Sequence, residues 1–142
     1  RHAGALAAAQ AVGIRLEALP TTSLSVLEGR RIGEAIQARP AADRPDAVFA
    51  ANDLLAVGLE QAFIMRGTIA VPEQIAIVGY DDIAFAESAV VPLTSVRQPA
   101  QDLGRRAIEL LTKQVEQGQD IDLEHVEFTP ELVVRQSSVA DA

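Results

Sequence analysis

The 142 residues carry 12 basic against 20 acidic side chains, a formal charge of -8, and 49% apolar residues with no cysteine. That length suits one domain able to bury a core without staples, and the missing cysteine excludes a disulfide framework, a thiol nucleophile and a thiolate zinc site. The acidic balance argues against a nucleic-acid-binding face, and neither a run of ~20 apolar residues nor a signal-peptide pattern is present. The first residue is Arg1 and not methionine, which reads as a piece of a longer protein.

Ala3–Val12 is alanine-rich and reads as a helix closing on Gly13. Ile14–Leu19 alternates as a short strand does and stops at Pro20. Ser25 with Glu28 three positions later reads as a capping box. Leu24, Leu27, Ile32, Ala35 and Ile36 then form a helical stripe ended near Pro40, and Arg39–Asp46 is a surface loop. Ala47–Ala51 is a continuous apolar run, the mark of a strand buried on both faces. Asn52 caps the helix that follows, Asp53–Arg66, which Gly67 ends. Ile75–Gly79 is a second such strand, with Tyr80-Asp81-Asp82 directly behind it. Two buried strands separated by one helix make a right-handed βαβ unit, so the class is α/β with a parallel sheet. After the loop Ile83–Pro92 come a strand, Leu93–Arg97, and a long helix opened by Pro99 and reaching about Glu116 and Gly118. Its positions Ala100, Leu103, Ala107, Leu110, Leu111 and Val115 share one face that should be buried. Two strand-like pieces, Leu123–Phe128 and Leu132–Arg135, flank Pro130, and Ser137–Ala142 reads as a frayed tail.

The chain has no dinucleotide fingerprint, phosphate loop, nucleophile elbow or HExxH helix. His2 and His125 lack ligand spacing, so neither a metal site nor a catalytic group is expected. Asp81 and Asp82 are adjacent, an arrangement open to metal binding or acid–base work but more often the mark of a turn. The positive signal is positional. In open α/β sheets ligands lie beyond the carboxyl ends of the strands, and Asn52 and Asp81 each stand at such an end. An amide that both donates and accepts, beside a carboxylate that accepts, suits a small ligand with several hydroxyls, such as a sugar or nucleoside. Equally, Asn52 can simply cap its helix and Asp81 can satisfy loop amides.

Phe49-Ala50-Ala51-Asn52-Asp53-Leu54-Leu55-Ala56-Val57-Gly58, Val71-Pro72-Glu73, Ile77-Val78-Gly79-Tyr80-Asp81-Asp82, Pro92-Leu93-Thr94-Ser95-Val96-Arg97-Gln98-Pro99 and Leu132-Val133-Val134-Arg135 occur in this order. Together they resemble the LacI-type bacterial transcription regulators from about residue 47 to 138. Arg1-His2-Ala3-Gly4, Ala11-Val12-Gly13-Ile14 and the Glu28–Gly33 helix match more loosely. The resemblance implies a periplasmic-binding-protein-like lobe, a parallel sheet flanked by helices in three α/β/α layers, within a regulator's effector-binding core. It implies a non-enzymatic, cytoplasmic protein without cofactor, with Arg1, Asn52 and Asp81 as effector contacts. Arg1 and Asp81 would grip opposite edges of a polyol. Leu24 falls near a position where some members carry a ligand-stacking aromatic, and an aliphatic residue there tilts the expectation toward a sugar.

By the same analogy residues 1–97 and 130–138 form the C-terminal lobe. Residues 98–129, between chain crossings near Gln98 and Thr129, belong to an otherwise absent N-terminal lobe, and 139–142 are tail. The face Leu103, Ala107, Leu110 and Leu111 must then fold back or be covered by another chain, and a face bare to solvent in a monomer would count against this division. The helix Asp53–Arg66 and the loop Ile83–Val91, with Val90 and Val91, resemble the surfaces through which family members pair as homodimers. Operator DNA would be met only through a helix-turn-helix domain outside this chain, and no membrane is involved. The alternative is a sugar-binding receptor of a transport system with the same fold. A hydrolase or nucleosidase would need a catalytic constellation that the sequence does not show.

Overall fold

The computed structural model describes residues 1–65, 68–117 and 124–139. Helix α1 (His2–Val12) closes on Gly13 as its glycine predicts. Helix α2 (Val26–Gln37) is followed by strand β1 (Ala47–Phe49), helix α3 (Asp53–Met65), strand β2 (Ala76–Asp81), strand β3 (Thr94–Arg97), helix α4 (Ala100–Gln117) and strand β4 (Glu131–Val133). The sheet order is β1-β2-β3-β4. The first three strands are parallel, with Val48 opposite Ile77 and Tyr80 opposite Val96, and β4 pairs antiparallel to β3. The chain is thus an α/β lobe whose mostly parallel sheet is flanked by helices.

The core lies between the sheet and the α2–α3 pair, built on Ile36, Leu55, Leu59, Phe63, Ile75, Ile77 and Leu93. The buried face of α2 is Gly29, Gly33 and Ile36, whereas Leu27, counted in the expected stripe, is exposed. The glycines are used because α3 runs against the α2 backbone. A Cβ on Gly29 would stand 2.2 Å from the Leu55 carbonyl oxygen, and one on Gly58 2.2 Å from that of Val26.

Several sequence expectations are corrected. Ile14–Leu19 forms no strand. It alternates as a strand should, but among the described residues no neighbouring strand offers it a ladder, and a bidentate ion pair from Arg39 to Glu17 (2.8 and 2.9 Å) ties it to the end of α2. The two apolar runs are not buried on both faces. In β2, Ile77 and Gly79 are buried while Ala76, Val78 and Tyr80 are half-buried, and in β1 both Ala47 and Phe49 are exposed. The cause is that α2 and α3 close one side of the sheet, while α1 buries none of its residues and α4 none of its described ones. Residues 124–128 form no strand either. The tail is not frayed at its start: buried Ser137 accepts the Thr94 amide (2.8 Å) and donates to the Ile77 carbonyl (2.6 Å), which sews it across two strands. Gly67, Gly118, Leu123 and residues 140–142 lie outside the described residues.

Helix α4 does not fold back. Leu103 and Leu111 are exposed and Leu110 half-buried, so within this single chain the apolar face is bare, and the packing of α4 gives the two-lobe division no support.

The start of α2 shows half of the expected capping box. Ser25 Oγ accepts the Glu28 amide at 3.3 Å. The Glu28 carboxylate accepts the amide of Thr22 (2.9 Å) and both Arg31 donors (2.9 and 2.8 Å). The Arg31 hydrogen bond first, and the Thr22 amide second, hold its pKa down to about 2. A carboxyl depressed in the folded state stabilises above its ordinary value of 4.5 and loses that contribution as pH falls toward 2. Glu28→Gln should therefore melt below the parent chain at pH 7, with the gap closing between pH 4.5 and about 2. A gap that persists unchanged in acid melts would contradict this.

Candidate functional site

The parallel strands β1, β2 and β3 deliver Ala51-Asn52, Tyr80-Asp81 and Arg97-Gln98 to one rim, at or just past their carboxyl ends. Arg1, the residue before α1, reaches the same rim. One guanidinium nitrogen donates to the Ala51 carbonyl at 2.6 Å, and another lies 3.5 Å from Asp81 Oδ1. The Arg1 Cζ stands 3.8 Å from the centroid of the Tyr80 ring. Gln98 Nε2 donates to the same Asp81 oxygen at 2.5 Å. Phe49 meets Tyr80 edge-on, with centroids 6.4 Å apart and planes at 61°.

Arg1 and Asp81 therefore stand side by side and not on opposite edges of a gap. Both are partly exposed, so a guanidinium donor and a carboxylate acceptor face outward together. That pairing fits two neighbouring hydroxyls, one accepting from Arg1 and one donating to Asp81, by charge-assisted bonds.

The two aspartates divide their work. Asp81 holds φ 109° and Asp82 φ 52°, a region that costs a non-glycine residue roughly 1–3 kcal/mol and persists only where the surroundings over-determine it. Asp82 supplies the determination. Its amide donates to Ser95 Oγ at 3.0 Å, Arg97 Nε donates to its carboxylate at 2.6 Å, and Arg135 donates at 2.7 Å while also holding the Leu93 carbonyl. Burial alone would raise the Asp82 pKa, but hydrogen bonds from Arg135 and Arg97 outweigh it and keep the group below the ordinary carboxylate range. Asp82 is locked into the fold and Asp81 is left turned to the rim. Among the described residues no group of three or more His, Cys, Asp or Glu side chains could hold a metal ion.

Asn52 is 8% exposed. Its Oδ1 accepts the Leu55 amide at 3.0 Å, so it caps α3, and its Nδ2 donates to the Leu24 carbonyl at 3.3 Å. One amide hydrogen is left for a ligand. Leu24 is joined to this network through its backbone, while its side chain is 52% exposed.

Sequence reasoning missed Gln98 and Tyr80. The rule that selected Asn52 and Asp81, a polar side chain just past a strand end, applies equally to Gln98 after β3. Tyr80 carried no separate signal, because an aromatic at the end of an apolar run looks like core.

Behind the rim, two buried carboxylates on one face of α3 hold the connection between β2 and β3 at both ends. Asp53 accepts Ser95 Oγ (2.6 Å) and the Ile83 amide (2.8 Å), and burial raises its pKa against those hydrogen bonds. Glu60, 2% exposed and two turns farther along, accepts the amide of Val91 and leaves Oε1 without a partner. Burial pushes its pKa up to about 7. Val91 is half-buried against the core, while Val90 stands 75% exposed.

A strained aspartate, an arginine and a glutamine gather at the carboxyl ends of three parallel strands, the place where open α/β sheets hold their ligands. A family model described as a periplasmic binding protein-like domain matches residues 1–138. The ribose operon repressor of Escherichia coli strain K12 is 40% identical over 95 residues, covering 67% of this chain and 28% of that protein. The HTH-type transcriptional repressor PurR of Photobacterium profundum is 40% identical over the same length and with the same coverage. A solved transcriptional regulator CelR–cellobiose complex superposes with a TM-score of 0.83 at 31% identity, covering 95% of this chain and 41% of that one. This chain belongs to the periplasmic binding protein-like domain family, in the form found in LacI-type regulators, and matches part of their effector-binding core. The family consists of binding domains and regulators, not enzymes. The chain spans less than a third of the length of the curated relatives it matches. Among the described residues no helix is long and apolar enough to cross a membrane.

Proposed function

We propose that this chain supplies the C-terminal half of a sugar-binding cleft in a cytoplasmic, homodimeric transcription regulator that meets operator DNA through a domain outside this chain. The observation that carries the reading is the Arg1–Asp81–Gln98 group, with Asn52 beside it, at the carboxyl ends of the parallel strands. A ribose operon repressor and a cellobiose complex among the similar proteins favour a sugar over other hydroxylated ligands. By the family resemblance alone, residues 98–129 count with the remaining lobe and residues 1–97 and 130–138 with this one; the bare face of α4 does not support that division. Exposed Val90 would be covered by the partner protomer. Sugar in the cleft would bias lobe closure, and coupling of that bias to DNA affinity is typically worth ~1–3 kcal/mol.

The test is calorimetric titration of the full-length protein with D-ribose, D-glucose, cellobiose and hypoxanthine. Saturable binding of at least one sugar is expected, and Asp81→Ala should weaken it roughly 100-fold, the worth of a charge-assisted hydrogen bond. Binding of hypoxanthine alone, or a sugar affinity indifferent to Asp81→Ala, would overturn the reading. A transport receptor shares the fold, and a helix-turn-helix segment at the start of the full-length protein decides for the regulator.

A further inference from the structure

We infer that Tyr80 is a positioning residue: the face of its ring holds the Arg1 guanidinium at the rim, so that Arg1 meets a ligand already oriented. The inference concerns the same site as the sugar-binding reading and deepens it.

Arg1 needs such a device. It precedes α1, and α1 buries none of its residues, so helix packing does not fix where the Arg1 side chain goes. No side-chain cap joins Arg1 to its helix. What holds the guanidinium is three contacts on its own atoms: the Ala51 carbonyl at 2.6 Å, Asp81 Oδ1 at 3.5 Å, and the Tyr80 ring 3.8 Å from Cζ. The first two leave the plane of the guanidinium free to turn about its contacts. A ring against its face removes that freedom, since a planar delocalised cation stacks on an aromatic face as an ammonium does not. The ring is itself fixed, by β2 on both sides in sequence and by Phe49 edge-on across β1. Tyr80 also precedes strained Asp81, so one short segment sets both partners of the ion pair.

The chain contains one tyrosine and no tryptophan, which makes the contact directly readable. In the 142-residue chain, nuclear magnetic resonance should show the Arg1 Cδ protons displaced upfield by the ring, with cross-relaxation to the single tyrosine. Tyr80→Phe should keep the displacement and Tyr80→Leu should abolish it. Viewed from the other side, Arg1→Ala, a change at a partly exposed residue, should move the Tyr80 ring resonances without lowering the melting temperature. Arg1 protons at random-coil positions in the parent chain, or unmoved by Tyr80→Leu, would overturn the proposal. So would ring resonances indifferent to Arg1→Ala.

In the full-length protein Tyr80→Leu should weaken D-ribose, D-glucose or cellobiose binding roughly tenfold, Tyr80→Phe should stay close to the parent, and Tyr80→Leu should add nothing in an Arg1→Ala background. Equal losses in both backgrounds would refute positioning through Arg1. Absence of any sugar binding by the parent protein fails the sugar reading, whereas the Arg1 displacement alone decides the role of Tyr80.

Discussion

Gly58→Ala will destabilise this chain by about 3 kcal/mol, a fall in melting temperature of roughly 10 °C for a domain of this size. The added methyl would sit 2.2 Å from the Val26 carbonyl oxygen, 2.7 Å from the Arg30 nitrogen and 2.8 Å from Gly29 Cα. All three are backbone atoms, so no side chain can rotate away. The helices must separate, and the contacts that Ile36, Leu59 and Phe63 make across the seam are stretched with them. Gly104→Ala in α4 is the matched control. A Cβ there meets nothing within 4 Å, and alanine is preferred over glycine in a helix by ~1 kcal/mol. Equilibrium urea melts of the two variants should therefore move in opposite directions or leave only Gly58→Ala shifted. Equal behaviour would mean that α2 and α3 are not in backbone contact.

Glu60→Gln will have the opposite sign and will depend on pH. The Glu60 carboxyl sits in the core with one oxygen unpartnered, and its pKa is raised to about 7 from an ordinary 4.5. A carboxyl raised by folding binds its proton more tightly in the native state. Its ionisation therefore costs nothing below about pH 4.5, costs progressively more as pH rises to about 7, and costs a constant amount above that. A shift of this size corresponds to roughly 3 kcal/mol. The glutamine variant cannot ionise and keeps a carbonyl oxygen for the Val91 amide. It should match the parent chain near pH 4.5 and exceed it by up to about 3 kcal/mol at pH 8. Chemical denaturation at the two pH values checks this, and a gain independent of pH would show that Glu60 is not the titrating group.

The parallel sheet and the rim were legible because both are local. Ala47–Ala51 and Ile75–Gly79 announce strands by apolar continuity, and Asn52 and Asp81 follow them directly in sequence. Arg1 was reached through family resemblance alone, since nothing about an arginine before an alanine-rich helix says that it folds over a tyrosine some eighty residues away. What stayed hidden is what depends on partners. Ile14–Leu19 has strand chemistry and no ladder to join. Gly29, Gly33 and Gly58 look like helix weakeners in one dimension and are a helix crossing in three. Ser137 looks like tail composition, but its hydroxyl stands in for a backbone group between Thr94 and Ile77. The division between Asp81 and Asp82 was invisible because Arg97 and Arg135, which decide it, lie 15 and 53 residues away.

The glycine seam between α2 and α3 also has a mechanical meaning. Side chains between two helices act as a compliant layer that lets one slide over the other; backbone pressed on backbone has no such layer. Asn52, at the head of α3, is tied to Leu24, at the approach to α2. The two helices therefore travel as one stiff plate bearing one corner of the rim, and a ligand that pulls on Asn52 displaces the whole plate instead of bending a loop.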